Sequence, residues 1–499
     1  MTVADELTPA VSDSAAAAAG PEETEEPIKK RKNGLYPGVS DELAESMKSG
    51  WADTELHDLE PIPQAAETAA RRAALSARFP GERLVIPSGN LKTRSNDTDY
   101  PFRASVEYAY LTGGRPDESA DGVLVMEPVA DGHKATIYLL PRSDRENGEF
   151  WLSGQGELWV GRRHSLTESE KLYGIPASDV RELADRLREA TGPVRVVRGY
   201  DAGIEAALTD KVTAERDEEL RVFLSEARLV KDTFEIGELQ KAVDSTVRGF
   251  EDVVKVLDKA EATSERYIEG TFFLRARVEG NDVGYGSICA AGPHACTLHW
   301  VRNDGPVRSG DLLLLDAGVE THTYYTADVT RTLPVNGRFS EIQKQIYDAV
   351  YEAQEAGIAA VQPGAKYRDF HDAAQRVLAE KLVEWGLAEG PVERVLELGL
   401  QRRWTLHGTG HMLGMDVHDC AAARTETYVE GVLEPGMCLT VEPGLYFQAD
   451  DLTVPEEYRG IGVRIEDDIL VTEEGNRNLS AGLPRRADEV EAWMAALKG

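Results

Sequence analysis

HGTGHMLGMDVHD at 407–419, LTVEPGLY at 439–446 and YRGIGVRIEDDIL at 458–470 decide how this chain is read. Three histidines, His407, His411 and His418, are followed by two carboxylates, Glu442 and Glu466, each inside a β-type apolar run. Upstream stands a matching pair, Asp316 in DLLLLDAG and Asp328 in TADVTRT. Taken singly, a buried Asp is most often a hydrogen-bonded structural residue. Two near-apolar strands that each carry one could set them side by side as a hairpin, with Gly318 at the turn, and that favours metal binding. The H-x-x-x-H spacing of His407 and His411 imitates a helical zinc site. However, Gly408 and Gly410 disfavour a helix and no Glu adjoins the first His, so a glycine-rich loop leading into a strand fits better.

Electrostatics weigh in the same direction. Four carboxylates meeting in one pocket repel, and without counter-charge they take up protons. Two divalent cations bring four positive charges and balance them. Oxygen-dominated ligation with one imidazole suits Mn²⁺, with Co²⁺ or Zn²⁺ as substitutes. Such a pair lowers the pKa of water towards about 7.

The rest of the chain sets bounds. Its 499 residues suggest more than one domain, and 41% hydrophobic residues suffice for full-sized cores. The net charge of −33 disfavours nucleic acid and anionic membrane as partners. Four cysteines without a C-x-x-C cluster suit a reducing compartment, hence a cytoplasmic location. The start lacks the basic and apolar regions of a signal peptide, and no apolar run reaches membrane-spanning length.

Residues 1–58 are expected to be an acidic tail, disordered at least as far as Asn33, with Lys29–Lys32 a solvated charge run. A helix is expected over 64–79, then strands at 83–89, 100–113, 123–128 and 135–141, the last two joined by a turn at VADGH. A helix over 176–191 and a strand at 194–199 complete an α/β domain that spans 59–225. Helical pattern continues over 217–257, broken near Lys231–Asp232. Long helices over 341–361 and 369–387 alternate with the motif strands, which makes 226–499 an α+β domain.

The joint motif set resembles the aminopeptidase P (Xaa-Pro aminopeptidase) family of pita-bread metallopeptidases. GYGSICAAGPHACTLHW at 284–300, DAGVETHTYYTADVTRTLPVNGRFS at 316–340 and YPFRASVEYAYLTG at 100–113 extend the resemblance over roughly 60–499. It implies an α+β fold, a pita-bread catalytic domain preceded by a smaller α/β creatinase-like domain. It also implies release of the N-terminal residue from peptides with proline second, and a homo-oligomer, dimer or tetramer. By the resemblance, Asp316 binds one metal, Asp328 and Glu466 bridge two, and His411 and Glu442 complete the other. Glu442 also shuttles a proton, His299 binds substrate, His418 stabilises the oxyanion and Arg464 steadies the carboxylates. His407 stands behind them. The gap from Asp316 to Asp328 is one residue longer than the family pattern. Prolidase shares fold and ligands and is the nearest alternative. Methionine aminopeptidase fits the long first domain poorly, and a non-catalytic pita-bread binding protein would lack some of the five ligands present here.

Overall fold

The computed structural model describes residues 40–115 and 119–498; the expected disorder up to Asn33 lies outside them. A short helix, Asp41–Ser46, is capped by the Ser40 side chain. The chain divides into two compact units, one of them formed by residues up to 53 together with 143–163. The other holds everything described below.

Its first part is a five-stranded sheet in the order Ala177–Asp179, Gly132–Leu139, Val123–Val129, Arg83–Pro87, Val194–Val196. The outer pairs are parallel and the inner ones antiparallel. Alternation along Arg83–Pro87 sends Leu84 and Ile86 to the core shared with helix Ala65–Arg78, and Val85 to the core under helices Leu183–Glu189 and Ala202–Leu208. The register Val129↔Gly132 places the expected turn at Ala130–Asp131.

Two expectations fail here for local reasons. YPFRASVEYAYLTG is not a strand: Val106–Thr112 is a helix, started by the Ser105 side chain and stopped by Gly113 in the left-handed region at φ 74°. Its β-forming valine and tyrosines are there because every residue of this helix is buried, and burial overrides propensity. Nor is 176–191 one helix. Ala177–Asp179 pairs as an edge strand, Asp179 caps a 3₁₀ turn, and the helix proper is Leu183–Glu189.

The break near Lys231–Asp232 is a helix start. Asp232 and Glu235 form a reciprocal capping box at the head of helix Thr233–Lys255. That helix sends Phe250, Val253 and Val254 into a core shared with strand Leu312–Ala317, Phe272, Ile346 and Val350. Leu313, Leu315 and Ala317 face this helical layer. By alternation Leu314 and Asp316 face the opposite side, where the motif residues gather. Helices Glu341–Ala360 and Arg368–Glu384 agree with the expected pair. Among the described residues no helix is long and apolar enough to cross a membrane.

Strands Leu312–Ala317 and Val329–Pro334 pair with Asp316 opposite Thr330 and Ala317 opposite Val329. The same phase continues through Glu320↔Thr326 to a bond from Thr321 N to Tyr325 O. A three-residue turn, His322 to Tyr324, closes the hairpin, with Tyr324 left-handed at φ 71°. The long gap thus keeps Asp316 and Asp328 diagonal to each other on one face. Gly318 is required for this approach: a Cβ there would lie 1.7 Å from the Ala327 carbonyl oxygen. Gly318→Ala is expected to force the strands apart and destabilise the protein by about 1–3 kcal/mol, read as a fall in melting temperature. A variant as stable as the parent would show that the pairing is not as close as described.

Candidate metal centre

Five segments converge on one cleft of about 560 Å³, lined by Asp316, Asp328, His299, His407, His411, His418, Glu442, Arg464 and Glu466. Asp316 and Asp328 come from the hairpin. His411 comes from the glycine-rich run, which lies along strand Cys438–Val441 through bonds from Glu442 N to Thr409 O, Thr440 N to His411 O and Leu413 N to Cys438 O. Gly410 makes this contact possible, since a Cβ there would meet the Thr440 oxygen at 2.0 Å. Glu442 follows that strand immediately, and Pro443 turns the chain into strand Gly444–Phe447. Glu466 sits between strands Ile461–Arg464 and Asp467–Thr472, its N–H bonded to Thr330 O.

All nine site residues foreseen from sequence therefore meet. Asp316, Asp328 and Glu466 are 7%, 5% and 1% exposed. Ligand atoms of Asp328, His411 and Glu466 lie within 4.8 Å of one another. His411 Nε2 is 3.2 Å from Asp328 Oδ2 and 3.6 Å from Glu442 Oε1. Arg464 donates to Asp316 Oδ2 at 2.5 Å, to Thr330 Oγ1 at 3.2 Å and to the Tyr446 hydroxyl at 3.0 Å. His407 meets the same hydroxyl at 2.8 Å, which places it behind the carboxylates. His299 and His418 are solvent-exposed within the cleft, and neither ring has a hydrogen-bond partner among the described residues.

Sequence reasoning missed several supporting residues. Tyr285 donates its hydroxyl towards Asp316 Oδ1 and Asp328 Oδ1, 2.6 Å from each. It lies in the quoted GYGSICAAG run, but an uncharged side chain gave no sign of its partners. Thr330 donates to Glu466 Oε2 at 2.6 Å. Glu265, fully buried on helix Glu265–Glu279, accepts from Ala291 N, Gly305 N, Trp300 Nε1 and the His294 ring. It thereby holds the loop that carries His299.

The cluster lacks positive charge. Burial, reinforced by Asp328, Glu442 and Asp316, pushes the Glu466 carboxyl far above its usual range. Burial likewise raises Glu442, to about 7, against the pull of His411 and Arg464. Asp316 is raised by burial despite Arg464. Burial would lower His411, but Asp328 and Glu442 outweigh it and lift the imidazole to about 9. His407 goes the other way, down to about 4, through burial and Arg464. Protons thus stand where cations fit. The donors are hard oxygens plus one imidazole, a set that accepts divalent metal ions.

Comparison with known proteins identifies this arrangement. A family model described as metallopeptidase family M24 matches residues 237–473, and one for the aminopeptidase P N-terminal domain matches 68–197. Xaa-Pro aminopeptidase 1 of Streptomyces coelicolor is 88% identical over 497 residues, covering 100% of both chains. Xaa-Pro aminopeptidase of Escherichia coli is 33% identical over 86% of this chain and 97% of its own. A solved aminopeptidase structure from Pseudomonas aeruginosa superposes with a TM-score of 0.78 at 33% identity, covering 88% of this chain and 100% of that one. Escherichia coli aminopeptidase P in complex with substrate gives 0.77 at 31% identity, with the same coverage. The chain belongs to metallopeptidase family M24 and, within it, to the Xaa-Pro aminopeptidases. The fold class and family expected from the motifs are borne out.

Metal ligands bind deprotonated, so protons on His411, Glu442 and Glu466 compete with a cation. Competition weakens as pH rises through about 7 and about 9, the values for Glu442 and His411. Mn²⁺ addition to chelator-treated protein near neutral pH is expected to release protons, with affinity rising from pH 6 to pH 9. Titration calorimetry in buffers of different ionisation enthalpy measures this. Binding without proton release would place the ions elsewhere.

Proposed function

We propose that this chain releases the N-terminal residue from peptides whose second residue is proline, using a pair of divalent cations, Mn²⁺ by preference. The carrying observation is the convergence of four carboxylates, Asp316, Asp328 and Glu466 buried and Glu442 half-buried, with His411 in a cleft open to His299 and His418. Asp316, Asp328, His411, Glu442 and Glu466 would hold the ions. When bound, the ions supply the positive charge that lowers the pKa of water in the cleft towards about 7.

The chain's own groups do the rest. His299 lines the cleft and binds the substrate. Glu442, which lines the cleft, takes a proton from the attacking water and passes it to the prolyl nitrogen as the C–N bond breaks. As in any amide that nitrogen must be protonated to leave; in an Xaa-Pro bond it is tertiary and held in a ring, which the cleft must accept. His418 donates a hydrogen bond to the carbonyl oxygen as negative charge develops there. Arg464 opposes protonation of Asp316 and fixes its orientation.

The protein would work in the cytoplasm, as a homo-oligomer (dimer or tetramer) without nucleic-acid or membrane partners. The net charge of −33 and four buried, free cysteines support the setting. The domain division at about 59 and 226 is part of the same proposal.

Two measurements test the activity. Asp328→Ala and Glu466→Ala are each expected to lose metal and to lower kcat/KM by several orders of magnitude. A series sharing one first residue and growing in length, assayed with Mn²⁺, is expected to give higher kcat/KM for Xaa-Pro-Xaa tripeptides than for Xaa-Pro dipeptides, and a large loss when alanine replaces the proline. Preference for the dipeptide would make the enzyme a prolidase.

A further inference from the structure

His418 has no side-chain hydrogen bond among the described residues; its ring meets the His411 ring edge-on at 4.1 Å, and the loop beneath it sets where the side chain starts. That loop is fastened at both feet. Thr326 N bonds Gly414 O, and Asp419 N bonds Met412 O. Asp419, 1% exposed, is paired with Arg228 at 3.0 Å and approached by Lys231 at 3.7 Å. The crest between the feet is held by one residue from far upstream. Arg103 donates through Nη2 to Met415 O at 2.6 Å and through Nη1 to Asp416 Oδ1 at 2.9 Å.

The same guanidinium reaches the other wall of the cleft. Arg103 Nε donates to Glu320 Oε2 at 2.8 Å, and Glu320 lies in the hairpin that carries Asp316 and Asp328. The hairpin tip is seated alongside: Ala104 N donates to the Tyr324 hydroxyl at 3.3 Å, and Arg103 stacks 5.1 Å from that ring. Tyr324, Leu413 and Met415 share a core with Tyr108 and Leu111 of the upstream helix. One planar cation thus ties the carboxylate hairpin to the His418 loop, a three-way contact that suits arginine's rigid fork and not lysine's single ammonium.

We propose that Arg103 is a positioning residue for catalysis, which sets His418 against the carboxylate pair. The proposal rests on His418 acting on the substrate carbonyl as assigned above. The Arg103 side chain is 38% exposed, but Glu320 is 3% exposed and without Arg103 keeps only the Asn281 donor, so the melting temperature of each variant is measured beside its kinetics.

The test is a double-mutant cycle on the full-length, Mn²⁺-loaded enzyme with an Xaa-Pro-Xaa tripeptide. Arg103→Ala is expected to lower kcat about tenfold with KM within about twofold, and Arg103→Lys to recover little. In a His418→Ala background, Arg103→Ala is expected to change kcat by less than about twofold, because the residue it positions is gone. Asp416→Asn, which keeps the arginine, should repeat the pattern and serves if Arg103→Ala does not fold. An equal loss in both backgrounds would show that Arg103 acts only through general stability and overturn the proposal, as would wild-type kcat in Arg103→Ala. If His418→Ala alone keeps wild-type kcat, the oxyanion assignment falls first and this inference with it.

Discussion

The whole architecture answers one electrostatic constraint: Asp316, Asp328, Glu442 and Glu466 are drawn into one cleft, with Arg464 and His411 beside them to offset part of their charge. Arg464 is 3% exposed and spends its donors on Asp316, Thr330 and Tyr446, which fixes the orientation of one carboxylate while leaving the total charge negative. Burial and mutual repulsion raise the Glu466, Glu442 and Asp316 carboxyls, so these groups favour protons until cations bind. Proton loading of this kind is a stand-in for cations, and it links metal affinity to pH.

Bringing like charges together requires a rigid frame. Strand alternation supplies it, with Leu313, Leu315 and Ala317 anchored in the helical core while Asp316 points the other way. Two close backbone approaches, at Gly318 and Gly410, bring the carboxylate hairpin and the His411 run within reach. Around this frame the proposed substrate groups are held from a distance. Glu265 organises the loop bearing His299, and Arg103 with Arg228 brackets the loop bearing His418. The cleft is therefore a stiff acidic floor with two loop-borne imidazoles whose poses depend on remote charged residues.

The acidic floor was legible in the sequence because strand-borne carboxylates after apolar runs are unusual, and each motif contained its own residue. The break in the helical pattern near Asp232 and the helices at 341–360 and 368–384 were legible from local pattern alone. Helix Val106–Thr112 was not, since its composition reflects complete burial and resembles a strand. The supporting residues were hidden for another reason. Arg103 and Asp416 are 313 residues apart, Glu265 and Gly305 are 40 apart, and no local spacing connects them. Tyr285 carries no charge to betray that it touches two aspartates.

The central claim is that cations replace protons in the acidic floor. Anomalous diffraction at the manganese edge, on Mn²⁺-soaked crystals of the full chain, tests it directly. The account predicts two peaks per chain inside the ring of Asp316, Asp328, His411, Glu442 and Glu466. An active crystal form with no peak in that ring would contradict it.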